Sequence, residues 1–281
     1  MSPRVSVVIP SYNNGAYLGA TLDSVLEQDY DDFEVVIADH SSADDTAAVI
    51  ERYAGHPRLR VLDATPPGGG ALRNWTRVAE AAEGDLIKLL PGDDVLCSGA
   101  LREQAAAFED GVTFVASRRQ MIDANDREFL SPMGLGGLAG RADGAEGIRR
   151  TVRGGGNIFG EPGNVMMRRA DLEAAGWWDA TEPFLIDVAS YVRVLRRGDL
   201  VALPQVHSRF RISASQWSVR LTNEQAAQGA AFVRRMRRDL PGVVSSGDVR
   251  RGVLMAKTGA WKRRAAYAVL ARRMGSAASG A

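Results

Sequence analysis

Carboxylates that directly follow short apolar runs are the residues best placed for chemistry in this chain. Asp39 follows Val35 to Ala38, and Asp93 and Asp94 follow Leu86 to Leu90 across Pro91 and Gly92. If these runs are strands of an open parallel sheet, their carboxyl ends line the crevice where such sheets bind ligands. A few hard oxygens near a loop suit Mg²⁺ or Mn²⁺ shared with a substrate phosphate. Taken alone, Asp93 and Asp94 read first as a turn or an N-cap ahead of a helix at Ser98 to Phe108. His40, His56 and His207 lack the paired spacing of a zinc motif, and the single cysteine, Cys97, has no disulfide or CxxC partner.

The elements that must position these groups alternate between two periods. Val5 to Ile9, Val35 to Ala38, Leu59 to Leu62, Leu86 to Leu90 and Val112 to Ala116 read as strands. Helical patterns separate the first four: Leu18, Leu22, Val25 and Leu26 at helical spacing after Asn13 or Asn14 as cap, then Ala43 to Tyr53 and Ala71 to Ala82. This is the pattern of an α/β fold with a mostly parallel sheet and helices on its faces. Downstream, Gly134 to Gly147 reads as a long loop, Val165 to Met167 as a strand, Asp187 to Arg196 as a helix and Phe210 to Ile212 as a short edge strand. Ala226 to Arg238 and Val249 to Met274 are helical in pattern. With 281 residues, 45% hydrophobic and 25% charged, the chain fits a globular protein and excludes a disordered or collagen-like one. No apolar run reaches the ~18 residues of a membrane span, so a cytoplasmic location is expected.

Four segments, in order, resemble the inverting, nucleotide-sugar-dependent glycosyltransferases of family 2, which have the GT-A fold. VSVVIPSYNNGAYLGATLDSVLEQDY is similar to the family's opening strand, turn and helix, and FEVVIADHSSADDT to its second strand and acidic turn. GGALRNWTRVAEAAEGDLIKLLPGDDVL resembles the Gly-x-x-x-x-Arg-Asn helix and the DxD strand end, and AGWWDATEPFLIDVASYVRVLRRGDL the segment that carries the general base. The resemblance implies a nucleotide site at Pro10, Tyr12, Asn13, Asp39, Arg73, Asn74, Gly92 and Asp93. There Tyr12 would stack on the base, and Asp39 would accept the N3–H of a uracil or thymine. It implies a metal at Asp93, with Asp94 and His207 as further candidates, and Asp187 as the base that takes a proton from an acceptor hydroxyl. Otherwise Asp187 is an acid favoured by the macrodipole at a helix N-terminus. Glu161, Trp178 and Arg211 are expected on the acceptor side; Glu161 also fits a simple turn, and Trp177 and Trp178 a buried pair. Departures are Pro91 at the first acid of DxD, His40 and Ser41 within the acidic turn, Ile186 before the base, and Ser213 where a His is common.

The expected enzyme is a metal-dependent inverting transferase using Mg²⁺ or Mn²⁺. It would move a sugar from a UDP or dTDP donor to a hydroxyl of a saccharide, lipid-linked or small-molecule acceptor, in polysaccharide, glycolipid or natural-product glycosylation. The alternative is a catalytically degenerate relative that keeps the nucleotide pocket. A Rossmann dinucleotide enzyme fits poorly, because the first turn is PSYNNG and GLGGLA at Gly134 to Ala139 follows no strand. Residues 1–218 are expected to form the GT-A domain, split at 117/118 into nucleotide and acceptor halves, with 219–281 a basic helical tail. From Gln205 onward, 15 Lys and Arg face 3 Asp and Glu, a local +12 within a chain of net charge +1. Phe232, Val233, Met236 and Leu240 share one side of a helix crowded by Arg234, Arg235, Arg237 and Arg238. That helix could pack on the body or rest on an anionic membrane, whereas the basic residues from Val249 onward scatter round the wheel. No nucleic-acid partner is expected, and a homodimer is left open.

Overall fold

The structure is a computed structural model and describes residues 4–212 and 224–261. Strands β1 (Val5–Ser11), β2 (Phe33–Asp39), β3 (Leu59–Val61) and β4 (Leu86–Leu89) pair in parallel in the order β3-β2-β1-β4. Helices α1 (Leu18–Leu26), α2 (Thr46–Tyr53) and α3 (Gly70–Glu80) connect them. Alternate residues of β1 feed two cores. Val5, Val7 and Ile9 pack with Leu18, Leu22 and Val25 of α1 and Val49 and Ile50 of α2, while Val8 packs with Val78 and Ala79 of α3. A strand walled by helices on both faces needs an unbroken apolar run, which is why its sequence does not alternate.

The sheet is parallel through these four strands and again where β6 (Val112–Ile122) lies beside β10 (Asp199–Arg211). Between the two parallel parts, β9 (Val165–Arg168) runs antiparallel to both β4 and β6. The reason is local: Lys88 of β4 donates from Nζ to the Gly163 carbonyl at 2.6 Å, so the turn leading into β9 sits beside the carboxyl half of β4. From there the chain must run back. β5 (Val95–Leu96), β7 (Glu128–Met133) and β8 (Gly140–Ala142) add antiparallel edges.

Several local expectations need correction. Phe210 is not in a short edge strand; it lies in β10, which pairs with β6 on one side and β5 and β8 on the other. Gly134 to Gly147 is not one loop, since it contains β8 and the start of α5 (Gly144–Gly154), capped where Asp143 accepts from the Ala145 N–H at 2.6 Å. Glycine content hid that cap. Neither Asn13 nor Asn14 caps α1 with its side chain; both side chains instead hold the loop itself. The remaining helices are α4 (Ala100–Ala106), α6 (Arg169–Ala174), α7 (Ile186–Leu195), α8 (Gln225–Asp239) and α9 (246–261). Phe232, Val233 and Met236 of α8 are buried in the core that also holds Ile186, Val188 and Ala189 of α7, so that apolar side packs on the body. Arg235 of α8 reaches back to Asp179 at 2.9 Å and also pairs with Glu182. Ser213, Ser218 and the last helical pattern beyond residue 261 lie outside the described residues.

Candidate functional site

The carboxyl ends of β1, β2 and β4 meet in one laced cluster of loops. Asn13 holds a left-handed backbone (φ 51°), which lets its N–H reach the Ser42 hydroxyl at 2.8 Å while its Oδ1 accepts from Ala43 N–H at 2.9 Å. Asn14 Oδ1 accepts from Tyr12 N–H at 2.9 Å, leaving the Tyr12 ring 56% exposed and edge-on to His40. The Asp39 carboxylate accepts from Ser42 N–H at 3.1 Å and from the Ser42 hydroxyl. Beneath them Asn74, 2% exposed, donates to the Ala38 carbonyl at 3.0 Å and meets the Thr65 hydroxyl at 2.7 Å. Asn74 therefore fastens the end of β2 from below, while Arg73 folds onto the carbonyls of Pro66 and Pro67. Pro10 stays within β1, in register with Ala38. Gly92 is buried where a Cβ would come within 2.9 Å of Asn14 Oδ1, so only glycine lets the β1 and β4 loops touch there.

The acids after β4 separate. Asp94 is 1% exposed and its carboxyl accepts from Arg211 N–H at 3.0 Å; burial and the adjacent Asp93 push its pKa well above the usual range. It therefore turns inward instead of toward a metal. Arg211, equally buried, is a clamp behind the turn and not an acceptor-side group: Nε donates to the Asp93 carbonyl at 2.8 Å and an Nη to Asp126 at 2.7 Å, with the guanidinium over the Tyr17 ring. His207 is 2% exposed and its Nε2 meets Glu103 of α4 at 2.9 Å, so it too is engaged away from Asp93. Asp93 remains partly accessible. Among the described residues no three His, Cys, Asp or Glu side chains converge as a metal cage. A single hard carboxylate oxygen donor fits Mg²⁺ or Mn²⁺ that brings most of its oxygens from water and a bound phosphate.

A second group forms at the start of α7. Asp187 Oδ1 accepts from Val188 N–H at 2.7 Å, and the other oxygen accepts from the Asn157 amide. Asn157 is itself fixed, because its Oδ1 accepts from Phe159 and Gly160 N–H at 2.9 and 3.0 Å. Burial is the main cause that raises the Asp187 pKa to about 7; the Glu161 charge adds to it, and the two hydrogen bonds offset part. Glu161 pairs with Arg119 of β6. The loop that carries Glu161 is tied to β4, the strand that leads to Asp93, by the Lys88 Nζ–Gly163 carbonyl hydrogen bond at 2.6 Å. One helical turn beyond Asp187, the Tyr191 hydroxyl is buried without a hydrogen-bond partner, and burial with the Asp187 and Glu161 charges pushes its pKa up.

Trp178 does not offer a stacking platform. It is 4% exposed, packed edge-on against Trp75, and donates its indole N–H to the Trp75 carbonyl at 3.1 Å. Three contributors escaped the sequence reading: Asn157, Arg119 and Lys88. Lys88 had a signal, a cation inside an apolar strand. It is fully buried, donates to Gln104 at 2.7 Å and to the Gly163 carbonyl, and burial lowers its pKa to about 7. It thereby ties β4 to the loop that carries Glu161.

A family model described as glycosyl transferase family 2 matches residues 6–176. Over 226 residues the chain is 33% identical to the uncharacterized protein MT1568 of Mycobacterium tuberculosis, an alignment covering 78% of this chain and 70% of that one. Over 109 residues it is 32% identical to the poly(ribitol-phosphate) beta-N-acetylglucosaminyltransferase TarS of Staphylococcus aureus, covering 38% of this chain but only 19% of TarS. Among solved structures, S. aureus TarS 1-349 in complex with UDP-GlcNAc superposes with TM-score 0.64 at 17% identity, over 82% of this chain and 66% of that chain. The mannosyltransferase PcManGT from Pyrobaculum calidifontis, in complex with GDP-Man and Mn²⁺, does so with TM-score 0.63 at 16% identity, over 99% and 81%. At these identities the superpositions show a shared GT-A fold.

Proposed function

The chain belongs to glycosyl transferase family 2, and we propose on that basis that it moves a sugar from a nucleoside-diphosphate donor to an acceptor hydroxyl, with inversion at the anomeric carbon. The observation that carries the reading is the Asp187 carboxylate, whose pKa of about 7 suits a group that must take a proton near neutrality. Asn157 and the Val188 N–H aim its oxygens, and the side chain stays half-buried, open to an approaching acceptor. As the acceptor oxygen attacks the anomeric carbon from the face opposite the leaving diphosphate, Asp187 takes the hydroxyl proton.

Donor binding falls to the loops at the other end of the cluster. Tyr12 offers an exposed ring face to the base, Asp39 accepts from a ring N–H of uracil or thymine, and Asn14 holds the Tyr12 backbone while Ser42 orients the Asp39 carboxylate. A Mg²⁺ or Mn²⁺ ion held by Asp93 would neutralise charge on the departing diphosphate. UDP-GlcNAc in the TarS structure and GDP-Man with Mn²⁺ in the PcManGT structure support a nucleotide-sugar donor in general. The resemblance to the family assigns UDP or dTDP as donor, with Asp39 accepting the N3–H of uracil or thymine; guanine, whose N1–H and N2–H can also donate to a carboxylate, is the competing base.

Thermal unfolding with UDP, dTDP and GDP, each with and without Mn²⁺, tests the donor assignment. A ligand at a hundred times its Kd stabilises by about 2.7 kcal/mol, a readable shift. UDP or dTDP with Mn²⁺ should raise the Tm most, and Asp93→Asn should remove the metal-dependent part. An equal shift for Asp93→Asn and the parent protein would overturn the metal assignment, and a preference for GDP would overturn the role given to Asp39.

A further inference from the structure

Among the described residues, the two large apolar side chains most open to solvent, Trp261 and Leu254, both lie on α9, with Met255 beside them. Leu254, Met255 and Trp261 are 61%, 38% and 71% exposed, and Arg250, Arg251 and Lys257 are exposed beside them. Residues 250, 254, 257 and 261 recur at three- and four-residue spacing, so they form one stripe, with 251 and 255 along its flank.

The roll of this helix is fixed by its opposite face. A Cβ on Gly252 would lie 2.1 Å from the Val152 carbonyl oxygen, and one on Gly155 would lie 2.3 Å from the Ala256 nitrogen. Ala256 and Ala260 fill the rest of that seam. Rolling α9 to bury Leu254 or Trp261 would drive side chains into backbone, so these residues face outward by construction. The only acid in 246–261, Asp248, is buried and paired with Arg153. The outward face thus carries cations and apolar groups without a carboxylate, and Lys262, Arg263 and Arg264 follow directly in the sequence.

We propose that the outward face of α9 docks on an anionic lipid surface, with Leu254 and Trp261 entering the headgroup layer and Arg250, Arg251 and Lys257 against lipid phosphates. Cations interleaved with apolar groups suit that interface, where an indole ring sits at headgroup depth and each nearby Lys or Arg adds attraction. Basic residues scattered round the whole wheel read from sequence as a poor membrane helix; with half the wheel sealed against α5 and α8, only the exposed half counts. The α8 helix, whose apolar side is buried, is not the docking element.

Cosedimentation of the full chain tests this, with vesicles of phosphatidylcholine alone and of an equal mixture with phosphatidylglycerol. Binding should require the anionic lipid and fall with added salt. The double variant Leu254→Glu and Trp261→Glu should bind at least about tenfold more weakly with an unchanged Tm, since both residues are exposed. Arg250→Gln with Arg251→Gln and Lys257→Gln should weaken binding by about fivefold or more per charge removed. Arg234→Glu on α8 should have little effect by comparison. Equal binding to neutral vesicles, no binding at low salt, or undiminished binding by the Leu254 and Trp261 variant would overturn the proposal. So would self-association of the parent protein abolished by that variant, which would assign the face to a second copy.

Discussion

Two features of its surroundings raise the Asp187 pKa. Burial disfavours the carboxylate and the Glu161 charge disfavours it further. Only the ionised form can take a proton, so transfer should fall as pH drops below about 7, with a slope of one. Glu161→Gln removes one neighbouring negative charge and should move that limb to lower pH; a pH–rate profile that stays in place would remove Glu161 from the electrostatics of the base. Stability runs the other way. Because the folded pKa lies above the usual carboxylate value, the fold holds a proton that the unfolded chain releases from about pH 4 upward, and the contribution of Asp187 to stability declines as pH rises toward 7. The placement of Asp39 and Asp93 after strands, and of Asp187 at a helix start, was legible in local pattern; the role of Asp187 came only from the family resemblance. Asn157 and Arg119 were not, since their partners lie 30 and 42 positions away in the numbering and meet only through the folded sheet. Asp94, Arg211, His207 and Trp178 carried suitable chemistry but were claimed by packing, which residue type alone does not reveal.

At the scale of elements, the parallel half of the sheet was legible because a strand buried on both faces announces itself as an unbroken apolar run. The half that follows β5 was not. Its order depends on β9 running back beside β4, and that is decided by where Lys88 holds the preceding turn. The seating of α8 was equally open in the sequence, where its apolar side fitted body or membrane. In the structure Arg235 is 13% exposed in its side chain and faces Asp179 and Glu182, at 3% and 7%. Removing one partner from a buried ion cluster is costly, so Arg235→Ala should destabilise by about 3–5 kcal/mol. Arg238, 73% exposed, should cost less than about 0.5 kcal/mol when changed to Ala. Urea unfolding of the two variants measures the difference, and equal losses would show that Arg235 does not anchor the helix.

At the scale of the whole molecule, the excess of basic residues after Gln205 divides between two uses. Part of it is consumed internally, where Arg235 and Arg211 neutralise acids of the body. Among the other described cations, Arg250, Arg251 and Lys257 face outward on α9, and Arg234 and Arg238 are exposed on α8. The boundary expected at 218/219 falls among residues outside those described, and α8 beyond it shares a core with α7. The sheet thus brings the loops that carry Tyr12, Asp39 and Asp93, the start of α7 with Asp187, and an outward basic helix onto one scaffold. The most direct measurement is release of nucleoside diphosphate from sugar donors that carry the nucleotide the thermal panel selects, compared between the parent protein and Asp187→Asn. The amide keeps the shape of the carboxylate but cannot take a proton, so turnover should fall by about 10²–10⁴ while donor affinity and Tm hold or the Tm rises. Near-parental turnover in a folded Asp187→Asn protein would contradict the account.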